Sequence, residues 1–106
     1  TNAPLAIYVR DPKPNSWAAS QKNVTAAGTA EQCAAAAAGH NQKVTVRARA
    51  SNTGDAFLGT SAANAQNATT RISLPPGEAV TINVDNANRI WVDVTTSGNG
   101  VDLHVG

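Results

Sequence analysis

The stretch ISLPPGEAVTINVDNANRIWVDVTTSGNGVDLHVG, residues 72–106, decides the fold class of this chain. Three runs within it alternate apolar with polar residues, which is the pattern of a strand buried on one side only. Turn-forming residues separate the runs at 75–78, 86–88 and 97–100. The pattern predicts three consecutive strands joined by turns, a β-meander, without a catalytic motif. The inward-facing members are Val80, Ile82, Val84, Ile90, Val92, Val94, Val101, Leu103 and Val105.

Shorter β patterns precede this stretch. Residues 44–50 alternate small apolar side chains with polar ones that include Arg47 and Arg49, which predicts a strand with a charged outer face. Residues 56–59 predict a short strand that pairs with it as a hairpin. Residues 60–70 form a polar loop that is longer than most connections, so we expect either a crossing between sheets or a surface contact.

The runs together predict about eight short strands and no convincing helix. Residues 33–38, one cysteine and five alanines, are too few to hold a helix by propensity alone. A turn or an irregular strand is expected there, with a single helical turn as the alternative. Eight short strands and one long crossing predict an all-β, single-domain β-sandwich of jelly-roll or Greek-key type. Its predicted core also contains Val44, Val46, Ile72 and Leu74.

The first part of the chain differs from the rest, because its prolines interrupt any helix or central strand. This predicts an extended N-terminal arm over residues 1–22 and a β-sandwich domain over residues 23–106. The arm is too apolar to be a plain solvated tail, so we expect it to lie against its own domain or against a neighbouring subunit. The side chains that make it apolar are Ile7, Tyr8 and Trp17.

Composition excludes several classes of function. The formal net charge of +1 leaves no dense basic surface of the kind that nucleic-acid binders use to displace counterions. No apolar run approaches the roughly 20 residues of a membrane span, and nothing resembles a signal peptide. Cys33 is the single cysteine, which excludes an intrachain disulfide and predicts a small buried hydrophobe. We expect a soluble protein made in a reducing cytoplasm.

No constellation of residues predicts an enzyme. His40 and His104 are far apart in the sequence and have no metal-ligand spacing. Asp93 and Asp102 would form a carboxylate pair of the glycosidase type only if the last two strands make a hairpin in the right register, and solvated strand-face acids are the favoured interpretation. Residues 85–88, DNAN, resemble part of a calcium loop, but a turn with side-chain-to-backbone bonds explains them equally well. We predict no catalytic, cofactor-binding or metal-binding residues.

A series of motifs, taken in order, carries a family resemblance. Over residues 43–105 the chain resembles small β proteins of tailed bacteriophages, namely their capsid decoration or cement proteins. Residues 1–42 take no part in the resemblance. The motifs are VTVRA at 44–48, NTGD at 52–55, FLG at 57–59, LPPGE at 74–78 and VDNANRIWVD at 84–93.

The resemblance implies a jelly-roll-like domain on the outer surface of an icosahedral head. Such a protein is made in the host cytoplasm and ties neighbouring subunits of the major capsid protein together. Thr1, without a preceding methionine, fits cytoplasmic synthesis with removal of the initiator. We also expect a homo-oligomer, a dimer or trimer, on the capsid surface. A weakly charged chain suits many shallow contacts repeated over symmetric positions, where avidity replaces single-site affinity.

The candidate partner-binding residues are Ile7, Tyr8 and Trp17 in the arm, Arg47 and Arg49 on one strand, and Trp91 on another. Two arginines at positions i and i+2 point the same way from a strand, and arginine and tryptophan are enriched at binding hot spots. We expect the arm and the loop at 60–70 to contact the capsid or a sister copy. For Arg47, Arg49 and Trp91 there is an alternative to partner binding. In it, both arginines keep a sheet face soluble while Trp91 packs beneath the arm.

A competing hypothesis is a carbohydrate-binding or receptor-binding module of a phage tail fibre or a secreted enzyme. Sandwiches of this size also carry that function, and their sites usually expose aromatic side chains as platforms for sugars. Trp91 is the candidate platform, because it faces away from Ile90 and Val92.

Overall fold

The computed structural model describes residues 18–38 and 42–105, and these ranges contain eight strands. Two single helical turns accompany them, α1 at Ala62–Ala65 and a 3-10 turn at Ala87–Arg89. Neither turn, nor any other helix in these ranges, is long and apolar enough to cross a membrane. The strands are β1 (Ala18–Asn23), β2 (Glu31–Gln32), β3 (Lys43–Ala48), β4 (Ala56–Gly59), β5 (Ile72–Leu74), β6 (Ala79–Asn83), β7 (Trp91–Val94) and β8 (Gly100–Val105).

The strands form two antiparallel sheets of four. The order is β1-β8-β3-β6 in the first sheet and β2-β7-β4-β5 in the second sheet. Pairing therefore joins β1 to β8, β2 to β7, β3 to β6 and β4 to β5, as in one long hairpin folded over on itself. This is the topology of an eight-stranded jelly roll. The prediction of an all-β sandwich with about eight short strands is confirmed.

The predicted β-meander is wrong, because the consecutive strands β6, β7 and β8 alternate between the sheets. Strands β5 and β7 lie in the second sheet, whereas β6 and β8 lie in the first. The predicted hairpin of β3 with β4 is wrong for the same reason. Residues 60–70 are not a crossing either, since they join β4 to its hydrogen-bonded neighbour β5. Alternation tells which side of a strand is buried, but both sheets bury the same kind of side chain, so it does not tell which strand lies alongside.

The boundary between arm and domain also differs from the prediction. Strand β1 pairs with β8 along its whole length, from Ala18 opposite Val105 to Asn23 opposite Gly100. Residues 18–22, which were predicted to belong to the arm, are therefore part of the first sheet. Their sequence, AASQK, shows almost no alternation of apolar with polar residues, because β1 is an outermost strand of its sheet. Residues 1–17 of the predicted arm lie outside the described residues.

The core lies between the sheets, and most of the residues predicted to belong to it are buried or partly buried there. Ile72 is the exception at 43% exposed, although its register partner Leu58 is buried. The reason is that β5 is an outermost strand, so nothing in the described ranges flanks its free side. Val80, Ile82 and Val84 are only partly buried, and they pack against the core from β6 and the segment after it. The fully buried predicted residues are Val44, Val46, Leu74, Ile90, Val92, Val94, Val101, Leu103 and Val105.

The alanine run closes one end of the sandwich as an irregular segment, in agreement with the first of the two predicted alternatives. Ala38 N donates to Asp85 O at 2.9 Å, and Ala87 N donates to Ala36 O at 3.0 Å. Ala38 is 1% exposed, and its methyl group belongs to the core cluster. Cys33 is buried, as predicted.

Candidate partner-binding surface

The outer face of the second sheet is covered by α1. Ser61 caps this turn by accepting a hydrogen bond from Asn64 N at 3.1 Å. Ala65 is completely buried against the sheet, and a Cβ atom at Gly59 would overlap the backbone of Ala65. Only glycine therefore lets the helical turn lie so close to β4. The loop at 60–70 is thus packed onto its own domain.

A second loop, residues 24–30, covers the same sheet from the side of β7. Asp93 points outward from β7, yet it is only 3% exposed. Its Oδ1 accepts hydrogen bonds from Gly28 N and Val94 N, each at 2.8 Å. Gly28 has a φ of +87°, a conformation that favours glycine. Ala30 N donates to Gln66 Oε1 at 2.8 Å and so joins this loop to the end of α1.

The aromatic ring on this covered face is already occupied. Phe57 points outward from β4, opposite Asp93 in the register, and is 6% exposed. The guanidinium of Arg71 lies 3.4 Å above the centre of the ring, which is a cation–π contact. The face of Phe57 on which a sugar would stack is therefore taken by Arg71.

The outer face of the first sheet, by contrast, is not covered by any element of the described ranges. The cross-strand rows on this face are polar except for two alanines, and none of their members is buried. Thr45 and Thr81 share a hydrogen bond between their hydroxyl oxygens at 3.0 Å. We call this surface the bare face; its residues are Ala19, Gln21, Lys43, Thr45, Arg47, Ala79, Thr81, Asn83, Asp102 and His104.

The two candidate arginines differ in what they can offer to a partner. Arg47 is exposed in the middle of the bare face. Arg49 lies beyond the end of β3, and its Nε donates to Asp102 Oδ1 at 3.3 Å. Its side chain is only 20% exposed, and its Nη2 is buried without a hydrogen-bond partner in the described part of the chain. Arg47 is thus available to a partner, whereas Arg49 mainly holds Asp102 in place.

The remaining predicted site residues do not join the arginines. Trp91 lies on the outer face of the second sheet, half-buried, opposite Gln32 and Gly59. The arginines and Trp91 therefore occupy opposite sides of the sandwich and do not form one surface. The arm residues Ile7, Tyr8 and Trp17 lie outside the described residues.

The acidic residues of the described ranges form neither a carboxylate pair of the glycosidase type nor a metal-binding cluster. Asp93 and Asp102 lie in different sheets, so the hypothetical carboxylate pair does not form. Within the same ranges no group of three or more His, Cys, Asp or Glu could hold a metal ion.

Side chains of the DNAN turn bond to other groups of the same chain. Asn86 Oδ1 accepts from Asn88 N at 3.1 Å and from Ala36 N at 2.8 Å. Asp85 pairs with Arg89 at 3.0 Å, and the hydrogen bond from that guanidinium lowers the pKa of Asp85. Asn86 therefore matches the structural interpretation of the motif, a turn with side-chain-to-backbone bonds, whereas Asp85 bonds to the side chain of Arg89.

Sequence reasoning missed most of the bare face. Lys43, Thr45, Thr81 and His104 are the polar members of alternating strands, so their outward direction is readable from the sequence. Their common face depends on β3 lying between β6 and β8, and no local pattern encodes that pairing.

Comparison with protein-family models, with curated proteins and with solved structures found no match to this chain. Its function has to be inferred from its own surfaces.

Proposed function

We propose that this chain is a structural protein of a virion, which decorates and stabilises the head of a tailed bacteriophage by bridging neighbouring major capsid subunits. The observation that carries the proposal is the jelly roll with one covered and one bare sheet face. Eight-stranded jelly rolls are used by viral capsid proteins, but also by lectins and cupins. The fold alone therefore does not distinguish these functions, and the distinction has to come from the surfaces of the domain.

The bare face suits docking onto a protein shell. It is four strands wide, about 14 Å from β1 to β6 at roughly 4.8 Å per strand. Lys43, Thr45 and Arg47 point from one strand at intervals of about 7 Å. The two exposed cations and the hydroxyl can reach carboxylates and backbone carbonyls of a partner. Each contact is weak, and repetition over the symmetric positions of a shell makes the sum strong.

The placement of the aromatic residues favours a shell over a sugar. A carbohydrate-binding module needs a ring face open to the ligand. Phe57 is covered by Arg71, and Trp91 is half-buried beside the segment that includes Gln32. The carbohydrate- or receptor-binding module remains the second candidate, with Trp91 as its only platform in the described ranges.

The proposal assigns the chain to the outer capsid surface, with the major capsid protein as its partner and a dimer or trimer as its form there. It includes no catalytic, nucleic-acid-binding, membrane-binding or cofactor-dependent role. If the bare face binds the shell, the loop at 60–70 on the opposite face points away from it. That loop is then placed to contact a sister copy rather than the capsid.

The proposal is tested by counting copies of the polypeptide in particles. Virions of the phage whose genome carries this chain are purified on a density gradient, and the chain and the major capsid protein are quantified by mass spectrometry. We expect a fixed ratio of the two in mature heads separated from tails. Absence from heads would refute the proposal, and presence with isolated tails alone would favour the fibre module.

A further inference from the structure

The link between Asn99 and Gly100 is prone to a spontaneous reaction. Asn99 is the single asparagine of the chain that is followed by glycine. In such a pair the backbone nitrogen of the glycine attacks the side-chain carbonyl carbon of the asparagine, because glycine has no side chain to obstruct the approach. The attack closes a succinimide ring, and the amide nitrogen leaves as ammonia with the proton of the glycine N–H. Water then opens the ring to aspartate or isoaspartate, so the reaction needs no other reactant.

The fold requires the glycine of this pair. Gly100 begins β8 and lies opposite Asn23 of β1. A Cβ atom at position 100 would overlap the carbonyl oxygen of Lys22 and crowd the Cα atom of Asn23. Glycine in a strand marks a place where another backbone approaches closely. The reactive pair therefore cannot lose its glycine without displacing β1.

A buried side chain holds the nitrogen that would attack. Asn52 is 8% exposed, and its Oδ1 accepts a hydrogen bond from Gly100 N at 3.1 Å. Its Nδ2 donates to Gly100 O at 2.9 Å, and its own backbone N donates to Arg49 O at 3.0 Å. The amide of Asn52 thus clamps both backbone polar groups of Gly100. While the clamp is closed, the nitrogen of Gly100 is not free to turn toward the side chain of Asn99.

Asn99 is held as well. Its backbone N donates to Thr96 O at 3.1 Å, and its backbone O accepts from Val24 N at 3.0 Å. Its Nδ2 donates to Thr53 Oγ1 at 3.3 Å. Ring closure draws the side chain toward the backbone and rotates the peptide group that Asn52 clamps. The reaction therefore has to break hydrogen bonds on both sides of the bond that forms.

We propose that Asn99 is a latent deamidation site and that Asn52 keeps it unreacted in the folded chain. The reaction proceeds only when the clamp opens, so its rate follows the population of the opened state. Isoaspartate at position 99 adds an extra main-chain carbon directly before β8, the strand that pairs with both β1 and β3. Opening of the clamp therefore leads to lasting damage in the first sheet.

The rate of deamidation in the full chain, kept in mildly alkaline buffer, tests this inference. Trypsin cleaves after Arg89, and Asn99 is the single asparagine of residues 90–106, so the mass of this peptide reports the reaction. We expect Asn52→Ala to speed the conversion by about tenfold or more. The control Gly59→Ala disturbs α1 on the second sheet and should leave the rate within about twofold. An unchanged rate in Asn52→Ala, or equal acceleration in both variants, would overturn the proposal.

A second measurement does not depend on the folding of any variant. In urea the clamp is absent, so Asn99 of the unaltered chain should deamidate at least about tenfold faster than in native buffer. It should also react ahead of the other asparagines, and Asn99→Ser should abolish the mass change in residues 90–106. Equal rates at Asn99 in urea and in native buffer, or an earlier reaction at another asparagine in urea, would contradict the proposal.

Discussion

The carboxylate of Asp93 holds the backbone of Gly28, which is 65 residues earlier in the chain, through a hydrogen bond of 2.8 Å on the outer face of the second sheet. This bond fixes the loop at 24–30 over β7 and buries the carboxylate to 3% exposure. Together with α1 it makes the second sheet the covered side of the sandwich, whereas no element of residues 18–38 and 42–105 covers the outer face of the first sheet.

Asp93→Ala should lower the free energy of unfolding by about 1.5–3 kcal/mol, since the amides of Gly28 and Val94 lose a charged acceptor. Urea denaturation followed by tryptophan fluorescence measures the change. The control is Asp85→Ala, which removes an exposed carboxylate and should leave stability nearly unchanged. Equal effects of the two substitutions would mean that the loop is not held by Asp93.

Gly59→Ala should destabilise the chain by about 1–3 kcal/mol, because the added methyl group overlaps the backbone of Ala65 and forces α1 off the sheet. Thr60→Ala, at an exposed position one residue later, should be nearly neutral. Both are compared by thermal unfolding. A neutral Gly59→Ala would show that α1 can move away at little cost.

The ion pair between Lys22 and Glu31 predicts a pH dependence. The hydrogen bond from Lys22, and after it that from Thr25 N, lower the pKa of Glu31 from its ordinary 4.5. The pair therefore stabilises the folded chain above pH 4.5, and this contribution is lost as the pH falls through the lowered pKa.

Glu31→Gln should consequently lower the melting temperature at pH 7, and the difference from the unaltered chain should shrink below pH 4.5. Melting curves from pH 7 down to about pH 2 measure this. Glu78→Gln, on an exposed turn, serves as the control without such a convergence. A difference that stays constant with pH would exclude the ion pair as its cause.

Cys33 should resist thiol reagents in the folded chain. Burial raises the pKa of its thiol to about 11, and only the thiolate is reactive. At pH 8 we expect labelling by an aromatic disulfide at the rate of unfolding, with prompt reaction in urea. The control is Ala34→Cys in a Cys33→Ala background, since position 34 is exposed and should react at once. Fast labelling of Cys33 without denaturant would contradict its place in the core.

Alternation of side chains predicted the eight-stranded sandwich, because a half-buried strand shows its two faces in its own sequence. The inward side of β8, for instance, follows directly from Val101, Leu103 and Val105. Strand pairing did not follow, since every connection between consecutive strands except the one from β4 to β5 carries the chain to the other sheet. Ile72 shows the remaining limit: it points toward the core side, but its exposure depends on β5 being outermost, which only the assembled sheet reveals.

The candidate surface was predictable only in part. Arg47 was identified because its outward direction is local information. The separation of Arg47 from Trp91 was not predicted, because that separation depends on β3 and β7 belonging to different sheets. Arg49 was mistaken for a free donor, since its partner Asp102 is 53 residues away in the sequence.

The most direct test of the central claim is binding of the purified chain to heads that lack it, with Arg47→Glu set against Arg89→Glu. Both positions are exposed, but Arg89 lies on the turn that precedes β7 and is not one of the residues of the bare face. If the bare face holds the chain to the shell, Arg47→Glu lowers the apparent affinity by about tenfold or more, while Arg89→Glu and Trp91→Ala leave it within about twofold. Equal occupancy of heads by Arg47→Glu and Arg89→Glu at every salt concentration would contradict the account.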